Sequence, residues 1–162
     1  MSFTRKACFF TGHRIISGDK NKLIGYLREE ILDKINSGVT VFITGGAIGF
    51  DTIAAEQVIE MREDYDFIRL CLYLPCTNQD AEWCEADKSR FCRIAEMADE
   101  IYHVTGEEYK RGCMKKRNKA MVEAADCGIS YLKGRSGGTA QTVRLAREKG
   151  IDVINIAEKW NI

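Results

Sequence analysis

The chain has 162 residues, and a domain of this length typically buries about 68–70% of its unfolded surface, so we expect one domain over residues 1–162. Its 24 basic residues balance its 24 acidic ones, which removes any bulk electrostatic reason to expect nucleic acid or an anionic membrane as a partner. The N-terminal sequence MSFTRKACFFTG has only four adjacent apolar residues, so we expect neither a signal peptide nor a membrane span there. We therefore expect a cytoplasmic protein with no membrane partner.

Short apolar runs rich in β-branched or aromatic residues predict strands, and the amphipathic stretches between them predict the helices of repeated βα units. Because the runs are almost continuously apolar, we expect the strands to be buried on both faces. The pattern predicts an α/β fold, a Rossmann-like three-layer sandwich in which helices cover both faces of a mainly parallel sheet. The predicted strands are Ala7–Thr11, Val39–Thr44, Ile68–Leu74, Glu100–Thr105, Gly128–Leu132 and Asp152–Ile156.

Each stretch between two strands carries apolar residues at helical spacing. For the first helix, Ser17 or Asp19 is the expected N-cap, and Gly38 is the expected end. The residues that mark the five helices are Leu23, Leu27, Ile31 and Ile35; Ala54, Val58 and Met61; Phe91, Ile94, Ala95 and Ala98; Met114, Met121 and Ala125; and Val143, Ala146 and Gly150.

The chain has seven cysteines, several of them inside apolar runs, where cysteine acts as a small hydrophobic side chain. Reduced thiols in a cytosol fit this usage best. Cys76, Cys84 and Cys92 have no histidine near them, and no CxxC spacing occurs, so we expect no metal site. No cofactor can be named from these residues.

Glycines and short polar residues follow five of the predicted strands, at 11–14, 44–51, 75–79, 104–106 and 133–139. Because the carboxyl ends of parallel strands share one edge of the sheet, we expect these segments to converge on a crevice of the kind in which such folds bind ligands. The convergence predicts a pocket for a nucleotide or a phosphate.

The turn at 44–51, TGGAIGFD, contains Gly45, Gly46 and Gly49, which allow tight turning and let backbone amides approach an anion at a helix start. It is not the GxGxxG dinucleotide fingerprint, which would need glycine in place of Thr44, and the chain has no P-loop sequence. Asp51 has two interpretations: it caps the following helix, or it accepts hydrogen bonds from ribose hydroxyls.

The turn at 135–139 offers a second set of amides, from Ser136, Gly137, Gly138 and Thr139. Either Ser136 caps the next helix or the turn forms an anion-binding nest.

The segment TGHR after the first strand is the third candidate, formed by Thr11, Gly12, His13 and Arg14. Arg14 suits a two-pronged contact with phosphate, and His13 is a titratable group. The alternative is an ordinary surface loop.

The predicted fourth helix carries a polar residue, Asn118, on the same stripe as Met114 and Met121. Asn118 either contacts a ligand or is a buried amide that bonds a neighbouring loop. The surrounding segment Lys110–Lys119 is basic and has no acidic residue, so it is either a solvated helix face or a contact for phosphates. Trp83 and Tyr73 either stack on a base or pack beside the sheet.

An ordered set of motifs carries a family resemblance: TGHR at 11–14, GGAIGFD at 45–51, Gln79 with Trp83, Arg117-Asn118 with Met121, and SGGT at 136–139. The set spans nearly the whole chain and resembles the YpsA-like (DUF1273) family of the SLOG superfamily. This resemblance implies a Rossmann-like fold whose two glycine-rich turns bind a nucleotide or nucleotide-derived small molecule. Paired assembly is common in that superfamily, so a homodimer is among the partners that the resemblance implies.

Two relatives define the alternatives. Lonely-Guy type phosphoribohydrolases carry PGGxGTxxE, whose glutamate serves N-glycosidic cleavage. Here Arg144 stands at its place, with Ser136, Ala140 and Gln141 for the proline, third glycine and threonine. Hydrolysis of a nucleoside monophosphate would therefore need Asp51 or Glu56 as the catalytic acid or base. The chain is also similar to DprA proteins, which implies single-stranded nucleic-acid binding by Arg14 and Lys110–Lys119 as the other alternative.

We therefore expect a non-catalytic module that binds or senses a nucleotide-derived ligand. The glycine-rich turns would contact phosphate, Arg14 would neutralise its charge, and Asp51 would bond a ribose. The expected ligand-binding residues are Thr11, Gly12, His13, Arg14, Gly45, Gly46, Gly49, Asp51, Asn118, Ser136, Gly137, Gly138 and Thr139.

Overall fold

The six strands of residues 5–162, the part of the chain that the computed structural model describes, form one parallel sheet. The strand order is β4-β3-β2-β1-β5-β6. Every predicted strand is present within two residues of its predicted bounds, and the expected Rossmann-like α/β fold is confirmed. The strands are β1 (Lys6–Gly12), β2 (Val39–Thr44), β3 (Arg69–Leu74), β4 (Glu100–His103), β5 (Cys127–Tyr131) and β6 (Asp152–Asn155).

Helices cover both faces of the sheet. Helices α1, α2 and α3 and the short α6 pack on one face, while α4 and α5 pack on the other. No helix within the described range is long and apolar enough to cross a membrane. The helices are α1 (Lys20–Asn36), α2 (Phe50–Met61), α3 (Glu85–Met97), α4 (Cys113–Ala124), α5 (Gly138–Glu148) and α6 (Ile156–Lys159).

The ends of the helices distinguish between the predicted caps. Asp19, not Ser17, caps α1, because its carboxylate accepts hydrogen bonds from the backbone amides of Asn21 and Lys22 at 2.9 and 3.2 Å. Gly38 follows the helix with a φ of +100°, as the predicted end requires. The N-cap of α5 is Gly137, so the interpretation of Ser136 as a cap is wrong.

The expectation that all strands are buried on both faces is wrong for β4, whose four residues are all exposed. β4 is an edge strand, and α4 and α5 lie over the central strands and β6. On β4, Tyr102 packs edge-on against Tyr73, with 5.2 Å between ring centroids. Apolar sequence alone therefore overstated the burial of this edge.

Candidate functional site

A crevice of about 320 Å³ opens at the carboxyl ends of β1 and β5. From β1 the chain continues to β2, β3 and β4 on one side of the sheet, whereas β5 and β6 lie on the other side. The strand order therefore reverses between β1 and β5. Open α/β sheets bind ligands at such a position. The residues that line the crevice are Phe10, Thr11, Gly12, His13, Arg14, Ala47, Asp51, Met114, Arg117, Asn118, Met121, Gly138 and Thr139.

The structure brings most of the predicted ligand-binding residues together in this lining. From the end of β1 and the two residues after it, the crevice takes Thr11, Gly12, His13 and Arg14, and from the helices Asp51, Asn118, Gly138 and Thr139. The remaining predicted residues do not line the crevice: Gly45, Gly46 and Gly49 lie in the turn before α2, and Ser136 and Gly137 lie in the turn before α5.

The turn before α2 is closed by a side chain of the protein itself. Asp51 is buried, and its carboxylate accepts a hydrogen bond from the backbone amide of Ala47 at 3.3 Å. The hydroxyl of Thr52 donates to the carbonyl of Ala47 at 2.8 Å and holds the same turn from the other side. One amide of the turn that the sequence predicts to face a phosphate is thus already bonded to a carboxylate.

Two glycines of this turn serve close packing. Gly49 has a φ of +83°, and a Cβ there would collide with the backbone carbonyl of Arg14. A Cβ at Gly45 would collide with the guanidinium of Arg117 and approach Asp51 Oδ2 to 3.0 Å. Glycine at these positions therefore lets the segment after β1 and the side chain of Arg117 press against the turn.

Arg117 lines the crevice but is not among the ligand-binding residues that the sequence predicts. Its guanidinium is buried, and it donates from Nη1 to the carbonyl of Gly45 at 2.5 Å and from Nε to Asn118 Oδ1 at 2.7 Å. A signal was present, because Cys113, Arg117 and Met121 recur at four-residue steps and are all buried. Met114 and Asn118, on the predicted stripe, lie at the edge of this buried face of α4, and both are half-buried.

Burial raises the pKa of Asp51 to about 6, while Arg117, the backbone amide of Ala47 and Arg14 oppose that rise. Burial also lowers the pKa of Arg117, with Asp51 opposing. Removal from water is therefore the dominant effect on both groups. Asp51 is mostly ionised at neutral pH but takes up a proton under mildly acidic conditions.

We expect Asp51→Asn to change how stability depends on pH. The folded carboxyl has a pKa of about 6 against an ordinary value of 3.8, so the folded state binds the extra proton and loses stability as the pH rises through this window. The asparagine variant lacks this loss. Its free energy of unfolding, relative to the parent protein, should rise by up to about 3 kcal/mol between pH 4 and pH 7.

Urea unfolding of both proteins at several pH values measures this difference. The comparison uses the slope with pH, because the substitution also leaves Arg117 without its nearby carboxylate at every pH. Parallel pH profiles for the two proteins would show that burial does not hold the Asp51 carboxyl in its protonated form.

The turn before α5 is open, in contrast to the turn before α2. Gly137 is the N-cap with a φ of +96°, and no side chain caps the helix. The first amides of a helix have no acceptor within it, and they carry the positive end of the helix dipole. Gly138 and Thr139, the first two residues of α5, both line the crevice. This end of the crevice therefore suits an anion.

Arg14 adds a full positive charge to the same crevice. Its side chain is exposed, and within residues 5–162 it forms no ion pair with a carboxylate. The guanidinium is therefore available to a ligand, and its planar fork matches a phosphate.

His13 joins two loops. Its Nε2 lies 2.8 Å from the backbone nitrogen of Lys133 and 3.1 Å from the carbonyl oxygen of the same residue. The carbonyl of His13 accepts from the amide of Phe50 at 3.1 Å. His13 thus ties the segment after β1 to the loop after β5 and to the start of α2, which holds the walls of the crevice in place.

Glu56, the second candidate for a catalytic carboxylate, lies outside the crevice lining on α2. Both of its oxygens are bonded by the guanidinium of Arg90 from α3, one of them at 3.0 Å. The structure therefore places only Asp51, of the two candidates, where a ligand in the crevice would touch it. Within the described range no group of three His, Cys, Asp or Glu residues is placed to hold a metal ion.

The remaining predicted contacts lie apart from the crevice lining. In the basic segment, Lys110 pairs with Glu107 at 2.6 Å and Lys119 lies 3.9 Å from Glu123, while Lys115 and Lys116 are exposed. Trp83 lies edge-on against Phe91, with 5.6 Å between ring centroids.

Comparisons with known proteins identify relatives of this chain. A model described as the YspA SLOG family matches residues 16–149. The SPbeta prophage-derived protein YoqJ of Bacillus subtilis (strain 168) is 30% identical over 140 residues, which are 80% of each chain. A UPF0398 protein of Halalkalibacterium halodurans is 26% identical over 123 residues, which cover 75% of this chain and 65% of that protein.

Two solved structures share the fold. DNA processing protein A (DprA) from Streptococcus pneumoniae superposes with a TM-score of 0.64 at 22% identity, over 92% of this chain and 49% of that one. DprA from Helicobacter pylori, from a study of its single-stranded DNA binding mode, gives a TM-score of 0.63 at 19% identity, over 93% of this chain and 64% of that one. The chain thus spans about half to two thirds of the length of these structures.

Proposed function

Because the chain belongs to the YspA SLOG family, we propose that it binds a nucleotide-derived ligand in the crevice between β1 and β5. The observation that carries the proposal is the shared lining: the uncapped start of α5, the unpaired Arg14 and the buried Asp51 all face one cavity. The positive end of the α5 dipole suits the phosphate of a nucleotide, and the Asp51 carboxylate suits its sugar hydroxyls.

The phosphate would bind at the start of α5. The amides of Gly138 and Thr139 supply hydrogen bonds there, and Arg14 supplies a charge-assisted contact. The turn before α2 is the less suitable position, because Asp51 already accepts the amide of Ala47 and its negative charge repels a phosphate.

The ribose would bind beside Asp51. A carboxylate offers about four acceptor positions, so the bond from the amide of Ala47 leaves room for hydroxyl donors. Asn118 supports the same side of the crevice, because Arg117 holds its Oδ1 and its amino group remains as a donor. Binding is proposed rather than N-glycosidic cleavage, since Glu56 is engaged by Arg90 and Arg144 stands where the cleaving relatives have glutamate.

Single-stranded nucleic acid is the second candidate ligand. The described fold is that of two DprA structures, one of them a study of single-stranded DNA binding, and Lys115 and Lys116 are exposed on α4 near the crevice. Contacts of that kind would release counterions from the phosphate chain, so the affinity would fall steeply with salt.

A thermal-shift panel at low and high salt tests these ligands together. We expect at least one nucleotide or ADP-ribose-type molecule, at about 100 times its Kd, to raise the Tm by about 5 °C or more, because binding to the folded state alone stabilises it. Chromatography of the same mixtures should detect no released base.

If only a single-stranded oligonucleotide shifts the Tm, and the shift disappears at high salt, the second candidate replaces the first. A panel in which no compound shifts the Tm would contradict the proposed function.

A further inference from the structure

A second cavity, of about 570 Å³, lies beside the crevice, and we call it the side cavity. Arg14, Ala47 and Met114 line both, so the two spaces meet along a shared wall. The other walls of the side cavity come from residues 78–83 before α3 and from Tyr109 before α4. Because Arg14 is exposed, we expect a ligand anchored in the crevice to reach the side cavity over its side chain.

Aromatic rings line the side cavity. Trp83 is partly buried, and the edge-on contact with Phe91 fixes its ring. Tyr109 is 59% exposed and lines the same cavity. Aromatic faces in a wet, partly polar cavity are suited to stacking on a planar heterocycle, and every nucleobase has such a face.

Two amide side chains give the side cavity polar groups that are held in place. Asn78 Oδ1 accepts a hydrogen bond from the backbone amide of Tyr109 at 2.8 Å, and Gln79 Nε2 donates to the carbonyl of Gly46 at 3.1 Å. These bonds orient both amides and leave a donor on Asn78, its Nδ2 group, and an acceptor on Gln79, its Oε1 atom. A nucleobase edge carries an acceptor beside a donor and can pair with such groups.

We propose that the side cavity binds the base of a nucleoside phosphate, with the base against Trp83 and the amides of Asn78 and Gln79. This inference rests on the proposed function, because it needs the phosphate at the start of α5. It makes a nucleoside 5′-phosphate the ligand class, since sugar phosphates without a base would leave the side cavity empty.

The fluorescence of Trp83 reports directly on this cavity. The chain has two tryptophans, and Trp160 lies elsewhere, stacked on Tyr26 at 4.3 Å, so Trp160→Phe leaves Trp83 as the only tryptophan signal. The probes are the four common ribonucleoside 5′-monophosphates and ribose 5-phosphate. We expect at least one nucleotide to quench Trp83 and to bind roughly tenfold or more tightly than ribose 5-phosphate.

Trp83→Leu tests the stacking contact, with binding followed by calorimetry. The affinity for the nucleotide should fall roughly tenfold or more, towards that of ribose 5-phosphate, whose own affinity should stay unchanged. Tyr102→Leu is the matched control, because it removes an aromatic ring that is 51% exposed on β4, outside both cavities.

Two results would overturn the inference in different ways. If ribose 5-phosphate binds as tightly as every nucleotide, or if Trp83→Leu weakens both ligands equally, the crevice binds phosphate but the side cavity holds no base. If none of the probes binds the parent protein, the proposed function fails together with this inference.

Discussion

Arg117→Ala is expected to lower the free energy of unfolding by about 1–3 kcal/mol, because removing the buried guanidinium leaves a nearby buried charge less well compensated. The group left behind is the buried carboxylate of Asp51, which the positive charge of Arg117 stabilises. The carbonyl of Gly45 also loses its guanidinium donor. Chemical denaturation at pH 7 measures the loss.

Lys116→Ala is the matched control, since it removes the neighbouring positive charge from the exposed side of α4. It should change the free energy of unfolding by no more than about 0.5 kcal/mol. Arg117→Lys should fall between the two, because it keeps the charge but loses the fork that reaches both Gly45 and Asn118. Equal stability of the Arg117→Ala and Lys116→Ala variants would show that the buried guanidinium is not a structural contact of the crevice.

Arg14→Ala is expected to weaken nucleotide binding by about 10- to 150-fold, which corresponds to about 1.5–3 kcal/mol for a hydrogen bond to a charged group. The side chain is exposed and unpaired within the described part of the chain, so its removal should barely change stability without ligand. Calorimetric titration with the nucleotide that gives the largest thermal shift measures the effect.

Arg93→Ala provides the control for net charge, because Arg93 is exposed on α3 and does not line the crevice. Its nucleotide affinity should match that of the parent protein. If the Arg14→Ala variant also binds as well as the parent, the phosphate does not lie against the segment after β1.

The fold could be predicted from the sequence because its signals are local. Each strand has a run of apolar residues bounded by turn residues, and the stripe of α1 through Leu23 and Leu27 is fully buried as its spacing required. The family match confirms the resemblance to YpsA-like proteins of the SLOG superfamily. The exposure of β4 could not be predicted, because it depends on how far α4 and α5 extend across the sheet.

The site could be predicted only in part, because two glycine-rich turns that look alike in sequence differ in structure. Asp51 bonds the amide of Ala47 within one turn, although neither of the helices that follow the two turns has a side-chain cap. The contact of Asp51, in α2, with the amide of Ala47 four residues before it decides which amides of the turn remain available to a ligand. The glycine pattern does not contain that information.

Arg117 was missed for a related reason. Within a run of basic residues, the sequence favours a solvated helix face for every member, and a buried arginine is uncommon unless it is paired. Its burial becomes understandable only with the Gly45 carbonyl and Asp51 beside it, and both come from a different part of the chain. The polar residue that the pattern did single out, Asn118, is bonded to the guanidinium and lines the same crevice.

The most direct test of the proposed ligand position is a crystal structure of the protein with the nucleotide that stabilises it most. We expect the phosphate to accept hydrogen bonds from the amides of Gly138 and Thr139 and from Arg14, while Asp51 keeps its bond to the amide of Ala47. A phosphate bound instead to the amides of Gly45–Ala47, with the Asp51 carboxylate displaced, would contradict the assignment of the two turns.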